Sequence, residues 1–286
     1  MQRFRFVSPK TIDEACLILA TNSCRLLAGG TDVIPKMRLG GFPVDLLVDL
    51  TGLDDLRFIR EEGSSVVVGA LAIYTDMIHS ALLQEKALVL VQAASMVGAY
   101  QTQNRGTLGG NIANASPAGD TLPALLALNA SVTLASQDGE RTVSLLQFLL
   151  GPGKTGILPT ELIKQISFVG LPTGARCGYE KMGKRNGMAI AVASAAAVIL
   201  PGANGTVQEV RLALGSVAST SIRCPRVEAA LQGCILTEKL IEQAAQLASQ
   251  ECSPISDIRS TADYRRSIVS VLVRRVLQHA ASHKEA

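Results

Sequence analysis

Residues 26–33 read Leu-Leu-Ala-Gly-Gly-Thr-Asp-Val, and residues 107–120 read Thr-Leu-Gly-Gly-Asn-Ile-Ala-Asn-Ala-Ser-Pro-Ala-Gly-Asp. Each stretch sets a threonine and a carboxylate beside two adjacent glycines, whose missing Cβ lets a backbone bend sharply and approach another group closely. In the first, a short buried strand from Leu26 through Leu27 to Ala28 runs into Gly29 and Gly30. Thr31, Asp32 and Val33 then open a helix-compatible segment that reaches Leu39. Free N–H groups at such a helix start suit a phosphate, and Thr31 can donate to that anion or cap the helix. A plain tight turn is the competing explanation. The second stretch repeats the ingredients in Thr107, Leu108, Gly109, Gly110 and Asn111, with Asn114, Ser116 and Asp120 behind them. Asp120 can accept from ribose or ribityl hydroxyls, or merely cap the helix that follows. Neither stretch contains G-x-G-x-x-G, so no Rossmann fingerprint is present. Two such turns in one chain favour a single diphosphate ligand clasped from both sides.

Working outward, Thr11 and Glu14 form a capping-box pattern in which hydroxyl and carboxylate satisfy each other's orphan backbone donors, and Ile12, Ala15, Cys16 and Leu19 mark one face of the helix. Leu46 to Leu50 and Val66 to Tyr74 are β-rich, whereas Thr75 to Leu83 and Glu85 to Val97 have helical periodicity. Tyr100 to Pro117 reads as a long polar loop with almost no apolar periodicity, the sort of segment that usually has a function. A helix at Asp120 to Leu128, a hairpin of Ala130 to Ser136 and Arg141 to Leu145, and a strand at Glu161 to Val169 follow. Leu171-Pro172-Thr173-Gly174 marks a domain boundary. Beyond it lie strands at Gly178 to Lys184, Ala189 to Leu200 and Val207 to Val217, then helices near 226–232, 237–250 and 261–281. The expected fold class is α+β: residues 1–172 divided into a small α/β part to about 55 and a larger α+β part from 56, then an α+β domain at 173–286 with an antiparallel sheet and helices.

Composition narrows the function. The 286 residues, 48% hydrophobic and 18% charged, suit a compact globular protein of about two domains. A net charge of +3, from 27 basic and 24 acidic residues mixed along the chain, displays no polyanion-binding surface, and nucleic acid is not an expected partner. The N-terminus shows no secretory h-region, which points to the cytoplasm. The longest uncharged apolar run, Met188 to Leu200, is too short for the roughly 20 residues of a membrane span and reads as a buried strand. Six cysteines include no C-x-x-C pair, so reduced buried thiols are expected instead of zinc or iron–sulfur ligands. Gly153-Lys154-Thr155 is not a Walker A, which needs a glycine where Phe148 stands. With only His79 outside the terminal helix that carries His279 and His283, a Ser-His-Asp or Cys-His hydrolase has little to build on. That final helix mixes apolar residues with Arg265, Arg266, Arg274 and Arg275, an amphipathic docking face.

Leu-Ala-Gly-Gly-Thr-Asp at 27–32, Gly-Thr-Leu-Gly-Gly-Asn at 106–111 with Pro117 and Asp120 behind it, and Gly-Pro-Gly-Lys-Thr at 151–155 resemble the FAD-binding medium subunit of the molybdenum hydroxylases, the xanthine dehydrogenase and carbon monoxide dehydrogenase family. The resemblance runs over nearly the whole chain. It implies an oxidoreductase flavoprotein with no side-chain acid, base or nucleophile and a two-part FAD-binding domain of the PCMH-like type. The FAD pyrophosphate would lie against residues 26–33 and 107–111, with Asp120 near the sugar hydroxyls. By the same resemblance Val97 contacts the flavin, and Ile163 and Lys181 line the other wall, although a lone strand lysine is usually just solvated. It further implies a molybdopterin large subunit and a small subunit with [2Fe–2S] clusters as partners, and an external acceptor such as NAD, a quinone or oxygen. Two departures stand out. Tyr100-Gln101-Thr102-Gln103-Asn104 replaces a Pro-Gln-Ile-Arg-Asn pattern, and no aromatic residue occupies Val97, Met188 or Ala189. Both bear on flavin potential and acceptor choice. The alternatives are a self-contained FAD oxidoreductase of the same superfamily and a scaffold subunit that has lost flavin.

Overall fold

The computed structural model describes residues 3–40 and 43–282, so His283 lies outside the described residues. The chain opens with β1 (Arg5–Val7), α1 (Ile12–Thr21), β2 (Arg25–Leu27), α2 (Val33–Arg38) and β3 (Leu46–Asp49). Both outer strands pair in parallel with β3, so the sheet order is β1-β3-β2. Period-two alternation along β3 sends Leu46 and Val48 to the face covered by α1, and Leu47 to the face covered by Met37 of α2. Thr11 Oγ1 accepts from Glu14 N at 3.1 Å, as the capping pattern requires. The reciprocal contact shifts by one residue, and the Glu14 carboxylate accepts from Lys10 N at 2.6 Å. β2 is only partly buried, because its outer edge borders the cleft described below.

A larger part follows: β4 (Ile59–Glu62), β5 (Ser65–Gly69), α3 (Tyr74–His79), α4 (Ala81–Lys86), α5 (Leu88–Ser95), α6 (Tyr100–Gln103), α7 (Leu108–Asn114), α8 (Thr121–Ala127), β6 (Ser131–Ser136), β7 (Gly139–Ser144), α9 (Leu145–Phe148), β8 (Leu149–Gly151), β9 (Lys154–Thr155) and β10 (Leu162–Val169). Its five-stranded antiparallel sheet has the order β4-β5-β10-β6-β7. Three expectations change. The β run at 66–74 stops at Gly69, where Ala72 N turns back to Gly69 O, and Tyr74 begins a helix. The helix expected at 75–83 breaks at Ser80, whose hydroxyl accepts from Leu83 N to cap α4. The loop expected at 100–117 contains α6 and α7, of four and seven residues, too short for an apolar period to show.

The remainder comprises β11 (Arg176–Met182), β12 (Ala193–Pro201), β13 (Val207–Gly215), β14 (Ile222–Arg223), α10 (Pro225–Leu231), α11 (Glu238–Glu251) and α12 (Ala262–Ser282). The antiparallel order is β11-β12-β13-β14. β12 has two apolar faces. Ala195, Ala197 and Ile199 pack with α11 and α12, while Ala196 and Val198 join the core that includes α5 and α8. The all-round apolar run therefore reflects a strand buried on both sides. α12 also buries Arg265, which donates to Val192 O, Ser216 O and Asp257 Oδ1 at 3.2, 2.7 and 2.7 Å. These contacts engage both terminal nitrogens of the buried guanidinium, while its Nε is buried without a partner among the described residues. Among the described residues no helix is long and apolar enough to cross a membrane, and no cluster of ligating side chains could hold a metal ion.

Candidate functional site

Gly29 and Gly109, 80 residues apart in sequence, stand in the wall of one cleft of about 280 Å³. The cleft takes Leu26, Ala28, Gly29, Gly30, Thr31, Asp32 and Val33 from the first turn and Thr107, Gly109, Gly110 and Asn111 from the second, with Ile163 on its apolar side. Leu27 instead faces a second, more open cleft of about 460 Å³ across the ridge formed by residues 28–31, where Thr102 and Arg105 form the opposite bank. Leu108 is fully buried in the core behind the second turn.

Contacts decide what each turn does. A Cβ on Gly29 would lie 1.8 Å from Arg105 O, so the two arms touch backbone to backbone. Gly30 adopts φ +74, the left-handed region. Among the described residues, the N–H groups of Gly29, Gly30, Thr31, Asp32 and Val33 have no hydrogen-bond acceptor. Neither Thr31 nor Asp32 caps α2 with its side chain. Consecutive uncommitted N–H groups around a left-handed residue make a concave anion site.

The second turn is built differently. Leu108 N donates to Ala72 O at 3.0 Å, Gly109 N to Ala70 O at 2.9 Å, Gly110 N to Thr107 Oγ1 at 3.1 Å and Asn111 N to Thr107 O at 3.0 Å. Ala70 is itself fixed, because its N–H donates at 3.0 Å to Lys164 O on the bulge that interrupts the β10–β6 register. That bulge also directs Ile163 to the cleft. Asn111 Oδ1 accepts from Thr121 Oγ1 at 2.7 Å.

Val97, Asp120 and Lys181 line neither cleft; Val97 and Asp120 are buried, and the Lys181 side chain is buried between Asp120 and Met96, the neighbour of Val97. Lys181 is not solvated. Its ammonium donates to Asp120 Oδ2 at 2.7 Å and to Met96 O at 2.9 Å, with both charged side chains no more than 10% exposed. Asp120 does not cap α8 with its side chain, and its Oδ1 is buried without a hydrogen-bond partner. Burial raises its pKa to about 6, against the pull of the Lys181 charge and hydrogen bond. Gln103, in the position of the missing arginine, donates to Ser95 O and Val97 O at 3.0 Å each and so holds the loop that carries Val97. Gly98, the neighbour of Val97, abuts Thr102, a residue of the second cleft.

Several cleft residues carried no sequence signal of their own. Tyr74 lines the wall, and burial, reinforced by the Asp120 and Asp32 carboxylates, pushes its phenol far above the usual range, leaving a neutral ring. Gly153 enters from the Gly-Pro-Gly motif, its N–H donating to Ala115 O at 3.0 Å. Its only signal was the family motif.

The described residues fit a dinucleotide with a charged centre. Residues 2–169 match the model of the FAD-binding domain in molybdopterin dehydrogenase. The chain belongs to this FAD-binding family. Residues 178–280 match the C-terminal domain of the CO dehydrogenase flavoprotein. The carbon monoxide dehydrogenase medium chain of Hydrogenophaga pseudoflava is 33% identical over 97% of each chain. The glyceraldehyde dehydrogenase medium chain of Sulfolobus acidocaldarius is equally 33% identical, over 97% of this chain and 98% of that one. A solved structure, carbon monoxide dehydrogenase from Hydrogenophaga pseudoflava lacking the Mo-pyranopterin moiety of its cofactor, superposes with a TM-score of 0.94 at 35% identity, covering 98% of this chain and 97% of that chain. As a member of the family, the chain is an oxidoreductase flavoprotein subunit whose cofactor is FAD.

Proposed function

We propose that this flavoprotein works as the medium subunit of a molybdenum hydroxylase, receiving electrons from [2Fe–2S] clusters in a small subunit, beside a molybdopterin large subunit, and releasing them to an external acceptor such as NAD, a quinone or oxygen. The observation that carries the proposal is the meeting of the two glycine turns in one cleft, lined on one side by five residues, Gly29 to Val33, whose N–H groups are uncommitted among the described residues. The N–H groups of Gly29 to Val33 hold the FAD pyrophosphate, while Thr107 to Asn111 form a rigid wall against it. Bound FAD supplies the coupling between electrons taken singly and electrons released in pairs. Ile163 offers an apolar surface to the ligand, and Val97, Asp120 and Lys181, which line neither cleft, support the protein behind it. Lys181, pinned between Asp120 and Met96 O, sets a fixed positive charge there. Substrate choice belongs to the large subunit, which accords with equal identity to chains from a CO dehydrogenase and a glyceraldehyde dehydrogenase. The cytoplasm is the proposed compartment, where the six free cysteines stay reduced.

Expression of the full chain with its small and large subunits tests this. A yellow complex forms, its flavin is bleached by the substrate of the large subunit, and removal of the small subunit abolishes that bleaching. A chain that takes up no FAD overturns the proposal, and one that oxidises a substrate unaided establishes the self-contained enzyme instead.

A further inference from the structure

Asn114 closes α7, and its side-chain amide spans the cleft. Its Oδ1 accepts from Lys36 Nζ at 2.6 Å, and its Nδ2 donates to Asp32 Oδ1 at 3.0 Å. Lys36 and Asp32 sit one turn apart at the start of the other arm. Among the described residues, these are the side-chain hydrogen bonds that join residues 26–38 to residues 107–114. We propose that Asn114 is a positioning residue that sets the separation of the two glycine arms and thereby the affinity of the chain for FAD, a proposal that rests on the FAD site assigned above.

The chemistry calls for a carboxamide. One end of Asn114 must accept from an ammonium and the other must donate to a carboxylate, and among short side chains only an amide carries the acceptor and the donor on two separate atoms. The bridge also manages charge. Asp32 lies beside the ridge proposed to hold a doubly charged pyrophosphate, where an unengaged carboxylate repels the ligand. Asn114 ties that carboxylate to the far wall and keeps Lys36 near it, so the local field stays close to neutral. All three side chains are at least partly exposed, so water competes for these hydrogen bonds and they add little to folding. The fold does not depend on them. Ligand affinity does, because arms held in place before binding need not be ordered when the ligand arrives.

The test uses the full chain, freed of FAD and titrated with FAD, with quenching of flavin fluorescence as the readout. Asn114→Leu is expected to weaken FAD binding about tenfold and to speed its release, while the melting temperature of the FAD-free chain stays within a degree or two of the parent. Asn114→Asp sets two carboxylates face to face and is expected to cost more. The exchanged pair, Asp32→Asn with Asn114→Asp, keeps the net charge and rebuilds both contacts in mirror sense, so it restores most of the affinity. Unchanged affinity in Asn114→Leu, a fall in FAD-free melting temperature that parallels the affinity loss, or no rescue by the exchange overturns the positioning role. A parent chain that binds no FAD overturns the underlying site assignment instead, so the two failures are distinguishable.

Discussion

The turns at Gly29-Gly30 and Gly109-Gly110 are near twins in sequence and opposites in structure. Both follow apolar residues and both face the same cleft, the first just ahead of α2 and the second within the opening turn of α7. In the first, the N–H groups of residues 29–33 are uncommitted and Gly30 sits in the left-handed region. In the second, N–H groups 108–111 are spent on Ala72 O, Ala70 O and the two oxygens of Thr107. One turn keeps its N–H groups available, and the other has committed them to the protein; the proposed FAD site uses the first to bind and the second as a wall. A Gly-Gly pair thus reports a need for close approach without saying what approaches. At Gly29 and Gly109 it is the protein's own backbone.

Substitutions that fill each glycine in turn separate these roles. Gly29→Ala carries the largest effect. Its Cβ would stand 1.8 Å from Arg105 O, a backbone atom that cannot move aside without parting the arms. A loss of stability of about 3 kcal/mol and complete loss of bound flavin are expected, read by chemical denaturation and by the visible spectrum. Gly109→Ala presses on Ala70, 2.7 Å from its Cβ and 2.8 Å from its carbonyl oxygen, and should cost about 2 kcal/mol by breaking the hydrogen bond between them. If the wall is a packing device, FAD affinity in this variant falls only in step with stability.

Gly110 meets only Thr107 Oγ1, at 2.8 Å, a side-chain atom that can turn away. Gly110→Val should therefore lose about 1 kcal/mol, the worth of the Thr107 cap, yet retain little flavin because the new side chain projects into the cleft. A fully yellow Gly110→Val chain breaks the comparison, since the second turn would then not border the ligand at all. The smallest effect concerns Asp120. Its carboxyl titrates near 6 in the folded chain and near 3.8 when unfolded, so the folded state holds the proton more tightly between those values. Stability from this group falls as pH rises from about 4 to about 6, and it has no further pH dependence above that. Asp120→Asn removes this slope, which melting temperatures of FAD-free parent and variant measured across that range will reveal.

Lys181 shows how legibility fails. On strand β11 a lone lysine among mixed neighbours looks solvated, and only the arrival of Asp120, 61 residues earlier in the chain, makes its burial affordable. α8 repeats the lesson on a larger scale. Its N-terminal Asp120 pairs with Lys181, while Ala127 O and Leu126 O accept from Arg211 and Arg223, so cations of the C-terminal sheet hold the helix at both ends. None of those arginines carries a local signature. Asn114 was visible as one polar residue among several, but its bridge joins positions 78 and 82 residues distant. The helices α6 and α7 escaped because neither completes enough turns for a period to emerge.

What the sequence determined by itself was local: the β–α–β order of the first sheet, the strand of β12 buried on both faces, and the two places where a side chain is forbidden. These follow from residue periodicity and from the absence of Cβ, properties that neighbours in the chain express without help. Only the tertiary structure decided which of the two glycine turns keeps its N–H groups available. That outcome depends on whether a remote carbonyl, Ala70 O or Ala72 O, is delivered within hydrogen-bond reach, and a strand end held by a bulge in its partner delivers it to one turn and not to the other.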